Sequence, residues 1–208
     1  DGDDFISNLR GDYVMIDGGA GDDYIGNSGN NVTIRALEGN NEISNGGGAA
    51  AGGGENSSIT TGDGNDTIRI GDYADNVTVD AGKGDDYIIA AKYNNSVEVH
   101  AGAGNDTIGG NYSHYSTLDG GDGDDFISDY SNYSSIVGGA GDDTIRVSGG
   151  IGGNNVTIDA GAGNDSISME GETSSISGGD GDDYIYNRNG DNTITGDAGN
   201  DTIINGSY

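Results

Sequence analysis

Aliphatic residues recur along this chain at two alternating intervals, one fixed and one free. Ile16, Ile34, Ile59, Val79, Val99, Leu118, Ile136, Ile158, Ile176 and Ile194 are each followed nine residues later by an isoleucine, without exception. The distance from that isoleucine to the next member of the set varies from 9 to 16 residues. Around these positions apolar and polar residues alternate, as in Asn31-Val32-Thr33-Ile34 and Asn155-Val156-Thr157-Ile158. That is the period-two signature of a strand with one buried face. The pattern therefore predicts two short strands per repeat, joined by one rigid turn and one adaptable connection. Stacked repeats would bury columns of Ile and Val between two narrow parallel sheets, and eleven turns at about 4.8 Å each give a rod roughly 50 Å long.

The rigid turn has its own signature. It ends in Asp-x-Ile, and its last acidic residue is Asp4, Asp23, Asp66, Asp86, Asp106, Asp125, Asp143, Asp165, Asp183 or Asp201. Asn41 holds the same place in one further copy, so that eleven copies follow one another at 18 to 25 residues. A metal-bound turn tolerates no insertion, whereas a solvent-exposed connection accepts many at small entropic cost. The invariant turn is accordingly the expected metal edge.

Composition excludes a conventional core. The chain has 43 glycines, no proline, cysteine or tryptophan, and 31% hydrophobic residues in 208 positions, too little to rest on apolar burial alone. Its formal charge of −29 makes nucleic acid and anionic membranes poor partners and cations good ones. The absence of cysteine fits a secreted bacterial protein that relies on metal rather than disulfides, and decides little alone. No apolar run is long enough to span a bilayer as a helix. The opening Asp1-Gly2-Asp3-Asp4 already lies within a repeat; residues 1–208 are read as one repeat array from a longer protein, with an irregular coil and a Gly/Ala loop at 37–58.

Calcium takes six to eight oxygen ligands, and a glycine-rich turn can aim carbonyl oxygens inward while a carboxylate completes the shell. In Gly120-Gly121-Asp122-Gly123-Asp124-Asp125 the last Asp is the expected carboxylate ligand, and the neighbouring coil supplies another. The expected carbonyl ligands are those of Gly19, Gly21, Gly62, Gly64, Gly82, Gly84, Gly102, Gly104, Gly121, Gly123, Gly139, Gly141, Gly161, Gly163, Gly179, Gly181 and Gly199. Without metal, a column of carboxylates at roughly 5 Å spacing would oppose folding.

These residues resemble the hemolysin-type, or RTX, calcium-binding repeat, whose nonapeptide is Gly-Gly-x-Gly-x-Asp followed by x, a large aliphatic and x. Gly138 to Asp143 and Gly178 to Asp183 fit the hexapeptide fully, and Ala81 and Ala160 replace its first glycine in other copies. The resemblance implies an all-β fold, a right-handed parallel β-solenoid or β-roll of about ten coils with calcium between turns. It also implies export into calcium-rich surroundings. The chain departs from the pattern in that alternate turns, such as Ser28-Gly29-Asn30-Asn31 and Gly171-Glu172-Thr173, lack the motif, so calcium is expected along a single edge. Asn41 removes a carboxylate and Ala36-Leu37-Glu38 replaces the glycines there, which leaves about eight good calcium sites among ten gaps.

The residue after each turn Asp, such as Phe5, Tyr24, Tyr87, Phe126 or Tyr184, is expected to point outward and stack between coils. Asn8, Asn27, Asn45, Asn187 and Asn205 form a second recurrent position, read as a hydrogen-bonded ladder. Tyr112, His114, Tyr115, Tyr130 and Tyr133 cluster on the variable edge, a candidate surface for glycan or protein contact. The only histidines, His100 and His114, have no neighbouring nucleophile or second histidine in the pattern, so no zinc site or catalytic triad is expected, and the chain is read as no enzyme.

The leading functional reading is a calcium-stabilised structural segment of an extracellular or cell-surface bacterial adhesin or fibre, with end-to-end or lateral self-association as a further expectation. The alternative is the secretion and folding module of an RTX protease, lipase or toxin whose catalytic domain lies outside this sequence. Ice binding, known for similar segments of this family, resembles a Thr-x-Asn array on the calcium turn; here the Thr position holds Ala20, Asp63, Lys83, Ala103 and Asp122.

Overall fold

The computed structural model describes residues 2–46, 52–110, 114–148 and 154–206. Among them no helix forms, and every strand belongs to one of two parallel sheets. An eleven-stranded sheet collects the strands that follow the Gly/Asp turns, from Phe5–Asn8 to Thr202–Asn205, and a ten-stranded sheet collects those that precede them, from Met15–Asp17 to Thr193–Ala198. The chain alternates between the sheets at every step, so each coil contributes one strand to each, and the whole is a β-solenoid of about ten turns.

Register follows the aliphatic columns. Ile25 pairs with Ile43, Ile43 with Ile68 and Ile68 with Ile88 in one sheet, while Ile34 pairs with Ile59 and Ile59 with Val79 in the other. Because side chains alternate across a strand, a slip of one residue would turn every isoleucine to solvent. The two columns meet face to face and are fully buried through the body of the stack, each isoleucine contributing about 1.5–3 kcal/mol by its removal from water. Even the coil of Asn41 keeps this register, despite the longer connection that follows it; residues 47–51 of that connection lie outside the described residues.

The two edges differ in backbone. Between Thr78–Lys83 and Tyr87–Ala90 only three residues intervene, and the glycines of this turn take angles closed to other residues, as Gly104 does at φ 139°. On the opposite edge the residue two places before each buried aliphatic of the second strand is Val or Ser in most coils, for example Val77, Val97, Ser116 and Ser134. Just ahead of it sits a non-glycine residue in the left-handed region: Tyr13, Asn31, Asn56, Asn76, Ser96, Tyr115, Tyr133, Asn155, Thr173 or Asp191, with φ between 50° and 63°.

Candidate metal-binding edge

The turn aspartates point inward. Asp23, Asp66, Asp86, Asp106, Asp125, Asp143, Asp165 and Asp183 are each no more than 2% exposed. Their Oδ1 atoms form a ladder along the axis, in which each accepts the backbone N–H of the equivalent residue one coil earlier. Asp106 N donates to Asp125 Oδ1 at 2.7 Å, Asp125 N to Asp143 Oδ1 at 2.8 Å and Asp143 N to Asp165 Oδ1 at 2.8 Å. The ladder runs from Asp4 to Asp201 and passes through Asn41 without a break.

The second oxygen is different. In all eight of these buried aspartates Oδ2 has no hydrogen-bond partner. It lies over the residue five places earlier: a Cβ built on Gly120 would fall 2.2 Å from Asp125 Oδ2, and one on Gly138 2.4 Å from Asp143 Oδ2. Elsewhere the position holds Ala81, Ala101, Ala160 or Thr61. Burial raises the carboxyls of Asp66, Asp86, Asp106, Asp125, Asp143, Asp165 and Asp183, and neighbouring carboxylates raise them further. Asp86 and Asp125 are pushed up to about 7, Asp143 and Asp165 to about 6, and Asp66, Asp106 and Asp183 move in the same direction.

Asn41 shows what the orphaned oxygens face. Its Nδ2 occupies the branch that is Oδ2 elsewhere, and it donates to the carbonyls of Ala36 (3.1 Å) and Gly39 (3.0 Å) and to Asp66 Oδ1 (2.9 Å). Weak or absent calcium is the expectation at this coil, and the amide closes the turn by itself, because it brings donors where an aspartate brings another acceptor. The equivalent carbonyls around Asp125 belong to Gly120 and Gly123. A point ringed by carbonyl and carboxylate oxygens, with no hydrogen to share, suits a hard cation. No group of three or more His, Cys, Asp or Glu side chains forms a metal cluster among the described residues, so a cation held at this edge draws most of its ligands from the backbone.

An outer ladder, missed in the sequence reading, flanks the inner one. The residue before each turn Asp or Asn41 is always Asp or Asn, and its Oδ1 accepts the backbone N–H of the next coil, as from Asn105 to Asp85 Oδ1 (2.9 Å), Asp124 to Asn105 Oδ1 (2.8 Å) and Asp142 to Asp124 Oδ1 (2.8 Å). The donor therefore lies one coil later, the opposite sense to the inner ladder. The strict restriction to Asp or Asn at this variable-looking position was the available signal.

The residues after the turn point outward, and Phe5 stacks on Tyr24 with ring centroids 5.0 Å apart. The asparagine ladder exists: Asn8 Nδ2 donates to Asn27 Oδ1 (2.8 Å), Asn27 to Asn45 (2.7 Å) and Asn187 to Asn205 (2.8 Å). Tyr115 and Tyr133 are exposed and stacked at 5.1 Å, whereas Tyr130 is half-buried. A second stacked pair, Tyr73 and Tyr93, also 5.1 Å apart, was not anticipated. Tyr112 lies outside the described residues. His100 sits on the outer face of the ten-stranded sheet, 3.2 Å from Glu98 and 3.5 Å from Asp119, and these carboxylates raise its affinity for a proton against the opposing effect of partial burial.

A glycine-turned parallel solenoid that buries a turn aspartate in eight of its coils defines a repeat protein of the calcium-binding type. The family model for the RTX calcium-binding nonapeptide repeat matches residues 50–72, 72–95, 98–111, 116–128, 119–154, 152–168 and 177–207, well over half of the chain. The chain belongs to that family. Comparison with curated proteins and with solved structures gives no match.

Proposed function

We propose that this chain is a calcium-stabilised structural segment of an extracellular bacterial adhesin or fibre, with calcium ions held along the Gly/Asp edge. The observation that carries the calcium reading is the column of eight buried Oδ2 atoms without partners. Each stands beside carbonyl positions that in the one asparagine coil receive an amide N–H. The proposed ligands are the carboxylates of Asp4, Asp23, Asp66, Asp86, Asp106, Asp125, Asp143, Asp165, Asp183 and Asp201, with the carbonyls of the turn glycines that precede each by two residues, as Gly123 does Asp125. The carbonyl five residues before, that of Gly120 in the same coil, joins them on the pattern of Asn41. About eight ions would fill the stack.

Continuous register from end to end supports the stalk reading, since such a stack is stiff along its axis. Exposed, stacked Tyr73 with Tyr93 and Tyr115 with Tyr133 offer a contact strip for a glycan or protein on the edge away from the metal. Calcium-rich surroundings outside the cell are where such a column fills. The alternative, a folding module of a secreted enzyme, requires a catalytic domain elsewhere in the parent protein.

Folding coupled to calcium tests the reading. Circular dichroism in excess chelator is expected to show a largely unfolded chain at neutral pH, with strand structure restored by millimolar calcium and poorly by magnesium. A fully folded chelated protein at pH 7.5 would overturn it.

A further inference from the structure

A second set of unsatisfied oxygens lies on the other edge, away from the Gly/Asp turns. The last inward position of the eleven-stranded sheet is apolar in neighbouring coils, Ala90 on one side and Val147 on the other, and the first inward position of the ten-stranded sheet is likewise Val97 and Val156. In the two coils between them these four places read Gly110, Asp129, Ser116 and Ser134. A small polar chamber thus interrupts an apolar column, with valine above and below it.

Asp129 is 0% exposed. Its Oδ1 accepts from Ser131 N (3.2 Å) and Ser131 Oγ (2.5 Å), but its Oδ2 has no partner, and neither do the buried hydroxyls of Ser116 and Ser134. Thr117 pairs with Ser135, so Ser116 and Ser134 are neighbours on one sheet; a Cβ on Gly110 would lie 3.0 Å from Asp129 Oδ1 on the other, and the Ser134 hydroxyl lies near enough to Asp129 to favour its charged form. None of the ion pairs among the described residues includes Asp129. An isolated buried carboxylate and two idle hydroxyls are costly as they stand. Asparagine at the same column avoids the cost, because Asn27 Nδ2 donates to Gly29 O at 2.9 Å and Asn45 Nδ2 to Gly54 O at 3.0 Å.

We propose that this chamber is a separate cation site, in which Asp129 Oδ2 and the hydroxyl oxygens of Ser116 and Ser134 hold one small oxygen-seeking cation, sodium or calcium. A single carboxylate balances a monovalent ion fully, which avoids a net charge in the core, while calcium would draw on the strongly negative surroundings. Burial raises the Asp129 carboxyl even though nearby hydroxyl and backbone groups oppose the shift, the same discomfort that a cation relieves.

The test compares the parent with Asp129→Asn, the side chain other coils carry at this column, both saturated with calcium. In one arm, sodium is exchanged for tetramethylammonium at constant ionic strength. Sodium occupancy is expected to lower the parent's Tm by about 2–4 °C on exchange and to leave Asp129→Asn unchanged. In the other arm, bound calcium is counted by native mass spectrometry, and calcium occupancy is expected to leave Asp129→Asn one ion short of the parent, whose turn ions serve as the internal reference. Either difference supports the site and names its ion. Equal sodium response and equal ion count in the two proteins would overturn it, leaving water or a neutral acid in the chamber. Should Asp129→Asn fail to fold, Ser116→Val, which restores the residue the column holds elsewhere, carries the same readouts with the same expected differences.

Discussion

The two edges of the solenoid solve one problem, reversing the chain between sheets, by different backbone chemistry. On the Gly/Asp edge the glycine two residues before each turn Asp or Asn41 has φ between 95° and 144°, and in mid-stack no room for a side chain, since a Cβ on Gly123 would lie 1.9 Å from the Gly104 carbonyl oxygen. On the other edge each connection carries a left-handed residue at φ 50–63° just before the second strand, where Asn, Asp, Ser, Thr and even Tyr occur, and Tyr73 and Tyr93 add a second at φ 61° and 66°. The first conformation excludes every residue but glycine; the second costs a non-glycine residue only about 1–2 kcal/mol. One edge therefore repeats its sequence and holds its length, while the other drifts and admits insertions. The tyrosines there remain in that conformation despite the cost, and stacking between coils offsets part of it.

The largest expected effect tests this contrast directly. Gly123→Ala on the metal edge combines a forbidden φ with a backbone clash, and should cost several kcal/mol, read as a calcium midpoint for folding raised tenfold or more. Tyr133→Gly on the opposite edge removes an exposed ring and relaxes a left-handed residue, so its midpoint should stay within about twofold of the parent. Paired titrations followed by strand content check both. Comparable losses in the two variants would mean that the edges are equally constrained and that sequence drift has another origin.

The same contrast explains what could be read without coordinates. Columns such as Ile25, Ile43 and Ile68 were legible because a nine-residue step with a period-two pattern has one solution when a face must be buried. Gly-x-Asp was legible because steric exclusion leaves a residue type as its trace. The outer ladder through Asp85, Asn105 and Asp124 was overlooked because two residue types share its role: a carboxylate and a carboxamide accept a backbone N–H equally well. The left-handed bends left no readable trace, since so many residue types fill them. Asp129 escaped notice for a related reason: its column holds Asn, Ile, Ala, Gly, Val and Met in other coils, so no pattern marks an acid there as unusual until its burial is seen.

A smaller effect separates metal-free from metal-bound protein by pH. In the chelated chain, Asp86 and Asp125 titrate near 7 and Asp143 and Asp165 near 6, against about 3.8 for an unperturbed group. Each folded-state value is raised, so the folded form binds protons more tightly than the unfolded form. The stabilising contribution is complete below about pH 4 and is lost as pH rises through 6 to 7. Strand content in chelator should therefore rise on acidification from pH 8 to pH 4. Calcium binds the deprotonated carboxylates, so its apparent affinity should fall over the same interval. Chelated protein that gains no structure on acidification would show that the buried column is not what keeps the metal-free chain unfolded.

The smallest effect concerns a single coil. Asn41 closes its own turn through an amide that donates to Ala36 O, Gly39 O and Asp66 Oδ1, so this stretch of the column needs no cation. Asn41→Asp keeps shape and size but turns the donor into an acceptor, placing one more oxygen against the carbonyls of Ala36 and Gly39 and against Asp66 Oδ1. In chelator the variant should be less structured than the parent, because a buried donor has become an uncompensated charge. In calcium the loss should be recovered by one additional bound ion, counted by native mass spectrometry, with parent-like strand content. The paired outcome matters: a variant that is destabilised in both conditions and gains no ion would show that the Asn41 amide does not mark the cation position. The ligand assignment built on it, with carbonyls two and five residues before each aspartate, would then have to be abandoned for the other coils as well.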